Sequence, residues 1–439
     1  MPVTSPSAPT VRARRLVTTF YLYAFLDEFV LLYPVYALLF TDTGLSVPQI
    51  SSLFVLWSLT GVVLEVPSGV LADAVSRRLL LVAAPLLGAV GFGLWVAAPS
   101  YWVFALGFVL WGARGALQSG AAEALVYDEL DRLRLADLYG RVVGRASTAG
   151  LLGALLAIAV AAPVYAAGGY PAVGIASVLA GLLCAAVGLA LPEHRTRASG
   201  VSAVPTEPGV AEGAAAGPFA ILRVALAEAR GNRAVRRALL ILPVMVGVWG
   251  GLEEYVPLLA GEVVPVARVP LLVLLVWVGV MLGGLLTPLG QRLTARRFAG
   301  TVAAASIALA LGALAGRPAG FVLVAVAFCL LQMTSLVAGV RLQESIGGPA
   351  RATVTSLAGL GAALVTVGVY GGYALASTVT GHGVVFGLLA VPYLVLAVGL
   401  GRAGAPRRRQ VGAGRGAEEP AAVPADAGRA VPADGGRAG

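Results

Sequence analysis

Long apolar segments recur along almost the whole chain, and their length sets the first prediction. Each segment holds about 20 mainly apolar residues, which is enough for a helix to cross roughly 30 Å of hydrocarbon. The pattern predicts twelve membrane-spanning helices, at residues 16–40, 48–72, 79–98, 102–126, 142–166, 170–191, 238–260, 269–290, 299–316, 319–340, 354–378 and 383–402. We therefore expect an all-α membrane protein.

One long connection, between the sixth and seventh segments, divides the chain into two sets of six spans. We expect a disordered N-terminal tail, a first six-helix bundle, a cytoplasmic linker, a second six-helix bundle and a disordered C-terminal tail, at residues 1–15, 16–191, 192–237, 238–402 and 403–439. Within the linker, Pro218 opens a stretch in which Phe219, Leu222 and Leu226 share one helical face. That spacing predicts an amphipathic helix on the membrane surface.

The two halves resemble each other weakly. The first span contains Asp27 and Glu28 with a proline soon after them, and the seventh span contains Glu253 and Glu254 with a proline at a similar place. Many transporters are built from repeated halves and hold their solute at the interface between the repeats. The repeat therefore predicts two pseudo-equivalent bundles around a central site.

Composition and charge support a membrane location. Hydrophobic residues make up 58% of the chain and charged residues 12%, too little charge to keep the surface of a soluble protein hydrated. The net charge of +9 comes from arginine, since the chain has no lysine, and the arginines cluster in alternate connections between spans. This placement indicates topology rather than nucleic-acid binding. By the positive-inside rule, we expect a multi-pass protein of the cell membrane with both termini in the cytoplasm.

The connection after the second span has a recognisable sequence. It reads Gly-Val-Leu-Ala-Asp-Ala-Val-Ser-Arg-Arg over residues 69–78 and resembles the signature loop of the major facilitator superfamily. Residues 65–68, 119–128 and 351–354 also resemble bacterial members of that superfamily. The resemblance covers nearly the whole chain. It implies a secondary transporter that alternates between states open to either side of the membrane.

The resemblance also implies a gate. In the family, the signature loop meets the eleventh span when the cytoplasmic side is closed. The implied gating residues are Gly69, Asp73, Arg77 and Arg78. We expect Glu123, at the end of the fourth span, and Arg145, at the start of the fifth, to complete the charge network. An alternative for Arg78 is that it only sets the topology.

Polar side chains within the spans are candidates for the solute and proton pathway, because such groups are costly in lipid. The resemblance implies that the first, fourth, seventh and tenth spans line the cavity. The candidates on these spans are Tyr23, Asp27, Glu28, Arg114, Gln118, Trp249, Glu253, Glu254 and Gln332. The alternative is helix packing for the two glutamines and a belt at the membrane surface for the aromatic residues.

The adjacent acids of the first span carry the sharpest hypothesis. Asp27 and Glu28 point about 100° apart on a helix, so we expect one of them to face the pathway and bind protons, with Arg114 at a similar depth. The alternative is an ion pair of Asp27 with Arg114 that only joins two helices. For Glu253 and Glu254, the alternative is a position in an outer vestibule.

These observations predict a monomeric permease that exports a small hydrophobic or cationic molecule in exchange for protons. The fifth span lacks the Gly-Pro signature of antiporters in the family, so uptake of a nutrient solute and a receptor-like protein without transport stay open as alternatives. The two histidines and the two cysteines lie far apart in sequence, and no lysine is present for a phosphate-binding loop. We therefore expect no enzyme activity, cofactor or metal, and partners limited to the solute, the proton and the lipid bilayer.

Overall fold

The computed structural model describes residues 8–194, 233–345 and 350–403. The described part consists of α-helices joined by short turns. The helices are α1 (Ala8–Asp27), α2 (Tyr36–Asp42), α3 (Val47–Ala74), α4 (Arg77–Ala97), α5 (Tyr101–Arg132), α6 (Tyr139–Leu189), α7 (Arg233–Glu253), α8 (Val256–Gly261), α9 (Val269–Gln291), α10 (Ala295–Leu314), α11 (Gly320–Ser345), α12 (Ala350–Ala376) and α13 (His382–Ala403). The amphipathic helix predicted after Pro218 and the C-terminal tail lie outside the described residues.

The helices account for all twelve predicted spans. Eight helical stretches of the described residues are long and apolar enough to cross a membrane, and one of them, Ala136–Leu189, contains the fifth and sixth spans in succession. The three other spans are the first (α1 and α2), the fourth (α5) and the seventh (α7 and α8). These three carry eight of the nine candidate pathway residues, and their polar side chains explain why they are less apolar.

The first and seventh spans are both interrupted directly after an acidic residue. In the first half, α1 ends at Asp27 and the helix resumes at Tyr36. In the second half, α7 ends at Glu253 and the helix resumes at Val256, with Pro257 in its first turn. The sequence predicted continuous spans here, but it did predict that the acids of the two halves would occupy matching places.

The helix ends define two faces of the molecule. We call the side where α1 begins and α13 ends the arginine face. The turns before α4, α6 and α10 lie on this side, and arginines flank each of these turns. The other side, with turns 43–46, 98–100 and 315–319, is the opposite face. The fifth and sixth spans join on the opposite face through Gly168 and Gly169, and the φ of +60° at Gly169 is one that favours glycine.

Among the described residues, three helix pairs make the main contacts between the halves: α3 packs against α12, α6 packs against α9, and α2 packs against α8. One large apolar cluster contains buried residues of both halves, among them Phe40, Phe54, Tyr255 and Tyr370. Two smaller clusters each belong to one half. The first-half cluster includes Leu16, Leu80 and Leu125, and the second-half cluster consists of Leu342, Val354 and Ala358. The halves therefore share a core towards the opposite face and pack separately at the arginine face.

Two helix starts differ from the predicted domain boundaries. Helix α1 begins at Ala8, so residues 8–15, which we predicted to be disordered, are helical. Helix α7 begins at Arg233, inside the predicted linker. Both extensions contain several arginines, which favour helix and can reach the membrane surface with their long side chains. The apolar pattern alone marks where the hydrocarbon begins and does not mark where the helix begins.

Close packing of α9 on α11 provides a test of the fold. A Cβ added at Gly283 would lie 2.2 Å from the carbonyl oxygen of Cys329, whereas one added at Gly284 would meet no atom within 4 Å. We expect Gly283→Ala to lower the free energy of unfolding by about 1–3 kcal/mol through overpacking. Gly284→Ala is the matched control and should leave the melting temperature unchanged or slightly raised. Equal melting temperatures of the two variants in detergent would contradict the helix pairing.

Candidate functional site

A cavity of about 600 Å³ lies between the halves. Its walls come from α1, α5, α6 and α9, and one lining residue among those described, Trp277 on α9, belongs to the second half. The cavity extends from Asp27 and Glu28 to Glu123 and Val143, which lie towards the arginine-face ends of α5 and α6. It is therefore reached from the arginine face.

Arg114 holds Asp27 at the end of α1. Its Nη2 atom lies 2.7 Å from Oδ1 of Asp27 and donates a second hydrogen bond, of 2.6 Å, to the main-chain carbonyl of the same residue. The last carbonyls of a helix have no partner within the helix, and a cation there also interacts favourably with the helix dipole. The Arg114 side chain is 6% exposed, and Gly88 of α4 leaves room for it. One guanidinium thus satisfies both the carboxylate and the interrupted backbone.

Further hydrogen bonds fix the same carboxylate. The amide nitrogen of Gln118 donates to Oδ1 of Asp27 at 2.7 Å and to the hydroxyl oxygen of Tyr23 at 2.8 Å. Tyr23 in turn donates to the carbonyl of Leu81 on α4 at 2.7 Å. Asp27, Arg114, Gln118 and Tyr23 therefore form one polar network that joins the first, third and fourth spans, as the ion-pair alternative anticipated.

Glu28 differs from its neighbour. It is the first residue beyond the end of α1 and lines the cavity, and its carboxylate forms no hydrogen bond or ion pair with any described residue. Gly150 on α6 lies directly beside it: a Cβ added there would come within 3.3 Å of the Glu28 side chain. Of the two adjacent acids, Glu28 is the one whose carboxylate is free to meet a solute or a proton.

The acids of the seventh span lie at the interruption of that span, outside the cavity lining. Glu254 accepts a hydrogen bond from the hydroxyl of Tyr36, which belongs to the first half. Glu253 lies close enough to Glu28 for the two carboxylates to repel each other when both are ionised. The interruptions of the two halves thus approach each other at the centre of the molecule.

Trp249 and Gln332 are placed within the second half. The Trp249 ring packs edge-on against Phe328 at 6.1 Å, and its indole nitrogen is buried without a hydrogen-bond partner in the described part of the chain. Gln332 packs against Gly283 of α9. Neither residue is among those that line the cavity. Trp277 is, and the sequence offered no signal for it, because a tryptophan in an apolar span fits lipid contact equally well.

The signature loop forms its contacts within the first half. Arg77 pairs with Asp128 at the end of α5, and its backbone nitrogen donates to Oε1 of Glu193 at 2.8 Å. The Ser76 hydroxyl also donates to Glu193. A carboxylate therefore occupies the N-terminal end of α4, where the helix dipole favours negative charge. It comes from Glu193, just beyond the sixth span, while the side chain of Asp73 lies outside the described residues.

The other candidate gating residues are at the surface. Gly69, Arg78, Glu123 and Arg145 are exposed at the arginine face. Among the described residues, no ion pair within 4.0 Å joins Glu123 to Arg145. In this state, with the halves separate at the arginine face, the contacts of the signature loop among the described residues are the Arg77–Asp128 ion pair and the hydrogen bonds to Glu193.

A family model described as Major Facilitator Superfamily matches residues 17–376. The chain belongs to the major facilitator superfamily. It is therefore a membrane transporter and not an enzyme, and its fold is twelve helices in two bundles of six. No curated protein sequence matches the chain significantly.

Solved structures of transporters share the fold at low sequence identity. The nucleoside transporter NupG is 13% identical, with a TM-score of 0.63 over 90% of this chain and 98% of its own. A bacterial homolog of the human lysosomal transporter Spinster, in an inward-facing and unoccupied conformation, is 16% identical, with a TM-score of 0.60 over 91% of this chain and 96% of its own. The POT family transporter PepTSo is 11% identical, with a TM-score of 0.62 over 91% and 99%.

The network around Asp27 predicts the outcome of a two-residue exchange. Arg114→Met removes the guanidinium and leaves a carboxylate and a carbonyl without their donor, which should lower the free energy of unfolding by about 3–5 kcal/mol. Adding Asp27→Asn to that variant removes the uncompensated charge and should restore most of the loss. Melting temperatures of the single and double variants in detergent measure this. An additive double variant would show that the two side chains act independently.

Proposed function

We propose that this transporter exports small hydrophobic or cationic molecules in exchange for protons. The free Glu28 carboxylate in the cavity is the observation that carries the proposal. Asp27 is neutralised by Arg114, so Glu28 and, towards the arginine face, Glu123 give the described cavity lining a net negative charge. The lining aromatic residues Phe20, Tyr23 and Trp277 supply apolar surface and faces on which a cation can bind.

The proposed exchange follows from a competition for one carboxylate. An ionised Glu28 attracts a cationic solute, whereas a proton on Glu28 removes that attraction. A site that binds either a proton or a solute, and that is exposed to one side at a time, moves the two in opposite directions. Desolvation of a carboxylate favours its protonated form, and an approaching cation favours the ionised form, so the two ligands oppose each other directly.

The open arginine face fits the loading step of an exporter. We propose that this face is cytoplasmic, that both termini lie there and that the protein works as a monomer in the cell membrane. The number of arginines at this face supports the orientation. In this orientation the cavity is open to solutes of the cytoplasm. The two six-helix bundles predicted from the sequence, residues 16–191 and 238–402, belong to the same proposal and move as the units of alternating access.

Glu28→Gln tests the proton coupling. The experiment uses proteoliposomes loaded with a pH-sensitive dye, with tetraphenylphosphonium as a cationic probe and a neutral aromatic compound of similar size beside it. We expect the wild-type protein to move protons against the flux of the cation, and Glu28→Gln to lose about 90% or more of that proton movement, because a glutamine amide has no titratable proton to exchange. A surface acid outside the cavity gives the control, Asp131→Asn, which should behave like wild type.

The outcomes separate the rival functions. Cation flux without proton movement in the wild-type protein would contradict the coupling. Flux of protons and solute in the same direction would indicate uptake instead of export. Cells that express the protein should also survive a panel of toxic cations better than cells without it, and this protection should disappear with Glu28→Gln. No flux and no protection would favour a receptor-like role.

The proposed gating role distinguishes two adjacent arginines. The Arg77 side chain pairs with Asp128, and its backbone nitrogen donates to Glu193 at the start of α4. The Arg78 side chain, in contrast, is exposed. We expect Arg77→Gln to slow the initial rate of solute flux several-fold, because the loop loses the contact that positions it for closure. Arg78→Gln should keep a rate near that of wild type. Initial rates measured at equal amounts of folded protein decide this, and equal losses in both variants would assign the arginines to topology alone.

A further inference from the structure

Among the described residues, two hydrogen bonds between side chains cross from one half to the other near the opposite face. The hydroxyl of Tyr36 donates to the Glu254 carboxylate, and the hydroxyls of Ser51 and Tyr255 lie 2.7 Å apart. Tyr36 is the first residue of α2, just beyond the interruption of the first span, and Glu254 and Tyr255 form the interruption of the seventh span. The crossing bonds therefore depend on both interruptions.

Aromatic side chains surround these bonds. The Tyr36 ring packs against Phe54 and Phe108, both at 6.1 Å. Phe54 in turn packs against Tyr255 at 5.3 Å and against Tyr370 at 5.4 Å, so the aromatic contact continues into the second half. These five rings are buried or nearly so. Hydrogen bonds in such surroundings are strong, and a polar group left without its partner is costly.

The Glu254 carboxylate depends on Tyr36 in particular. The other ionisable groups that face it are Glu253, Tyr255 and Tyr370, and Glu28 lies beyond Glu253. The two glutamates add negative charge instead of a donor, and Tyr255 already shares a hydrogen bond with Ser51. When the opposite face opens, water can replace Tyr36. In this state the Glu254 carboxylate is partly buried, and Tyr36 is the one described residue whose side chain donates a hydrogen bond to it.

We propose that the Tyr36–Glu254 and Ser51–Tyr255 pairs form a latch that holds the opposite face closed. The latch closes because the interruptions of the first and seventh spans bring side chains of both halves into contact at that face. Glu28 is the first residue of one interruption, and Glu253 is the last helical residue before the other. A ligand that changes the charge at these two acids therefore acts on the backbone that carries the latch. This inference depends on alternating access and not on the proposed export or proton coupling.

Distance measurements between the halves test the latch without any transport assay. Spin labels are placed at Ala98→Cys and Ala319→Cys, which are exposed at the opposite face in the first and second half, in a chain whose two native cysteines are replaced by alanine. Tyr36→Phe keeps the ring and removes the hydroxyl. We expect the population with the longer distance to rise about tenfold relative to the closed one, since a hydrogen bond to a charged group is involved.

A matched control has the same chemistry within one half. Tyr101 shares a hydrogen bond of 3.0 Å with Ser52, on the same face and within the first half. Tyr101→Phe should therefore leave the distance distribution as in wild type. If Tyr36→Phe and Tyr101→Phe gave the same distribution, the latch would be refuted.

The second crossing bond gives an independent comparison of neighbouring serines. Ser51→Ala should shift the distribution towards the open state, and Ser52→Ala should not. Both are small changes that leave the helix intact, and melting temperatures in detergent confirm that each variant is folded. The proposal would be overturned if the single variants Ser51→Ala and Tyr36→Phe both kept the distance distribution of the closed state. If the wild-type protein showed no solute flux while the distance distributions changed as expected in these variants, the result would count against the proposed function alone.

Discussion

The interaction of Arg114 with the end of α1 makes the rest of the site possible. A helix that stops inside a membrane leaves carbonyl groups without partners, and a carboxylate at that depth adds a charge. Arg114 answers both needs of Asp27 with one guanidinium. Because this end is stabilised, the chain can leave the helix for eight residues, expose Glu28 to the cavity and resume at Tyr36. Without the arginine, the Asp27 carboxylate and the Asp27 carbonyl would lose the donor that they share.

The two halves solve the same problem differently. The first half satisfies its interruption internally, with a cation from the fourth span. The second half ends its helix at Glu253, and the next residue, Glu254, accepts a hydrogen bond from a hydroxyl of the first half. The repeat is therefore similar in its backbone and unequal in its chemistry. The first half stabilises its interruption with a side chain of its own, whereas the second half uses one from the other half.

Periodicity and charge predicted much of the fold, because crossing a bilayer imposes a length and a polarity that appear directly in sequence. The twelve spans and the two sets of six follow from that constraint. The acids of the first and seventh spans were recognised for the same reason. The interruptions after Asp27 and Glu253 were not, since the apolar residues on both sides of the acids are together long enough to be interpreted as one continuous span.

Contacts between residues far apart in the chain also could not be predicted from the sequence. Glu193 caps α4 from 116 residues away, and Trp277 meets the first-half cavity from the eighth span. No local pattern encodes either contact. Asp27 and Arg114 were paired correctly because both are charged and at equal depth, which is a rare combination within a membrane. Where many residues share the same character, as the aromatic residues do, depth alone does not select the one that lines the cavity.

The short turn at Gly168 and Gly169 has a mechanical consequence. Two residues cannot stretch, so the fifth and sixth spans are tied at one end and can only swing together about that point. The fifth span borders the cavity beside Glu28, and the sixth packs on α4 behind it. When the fifth span moves at the cavity, the sixth span therefore rotates with it, because the two form one stiff helical hairpin.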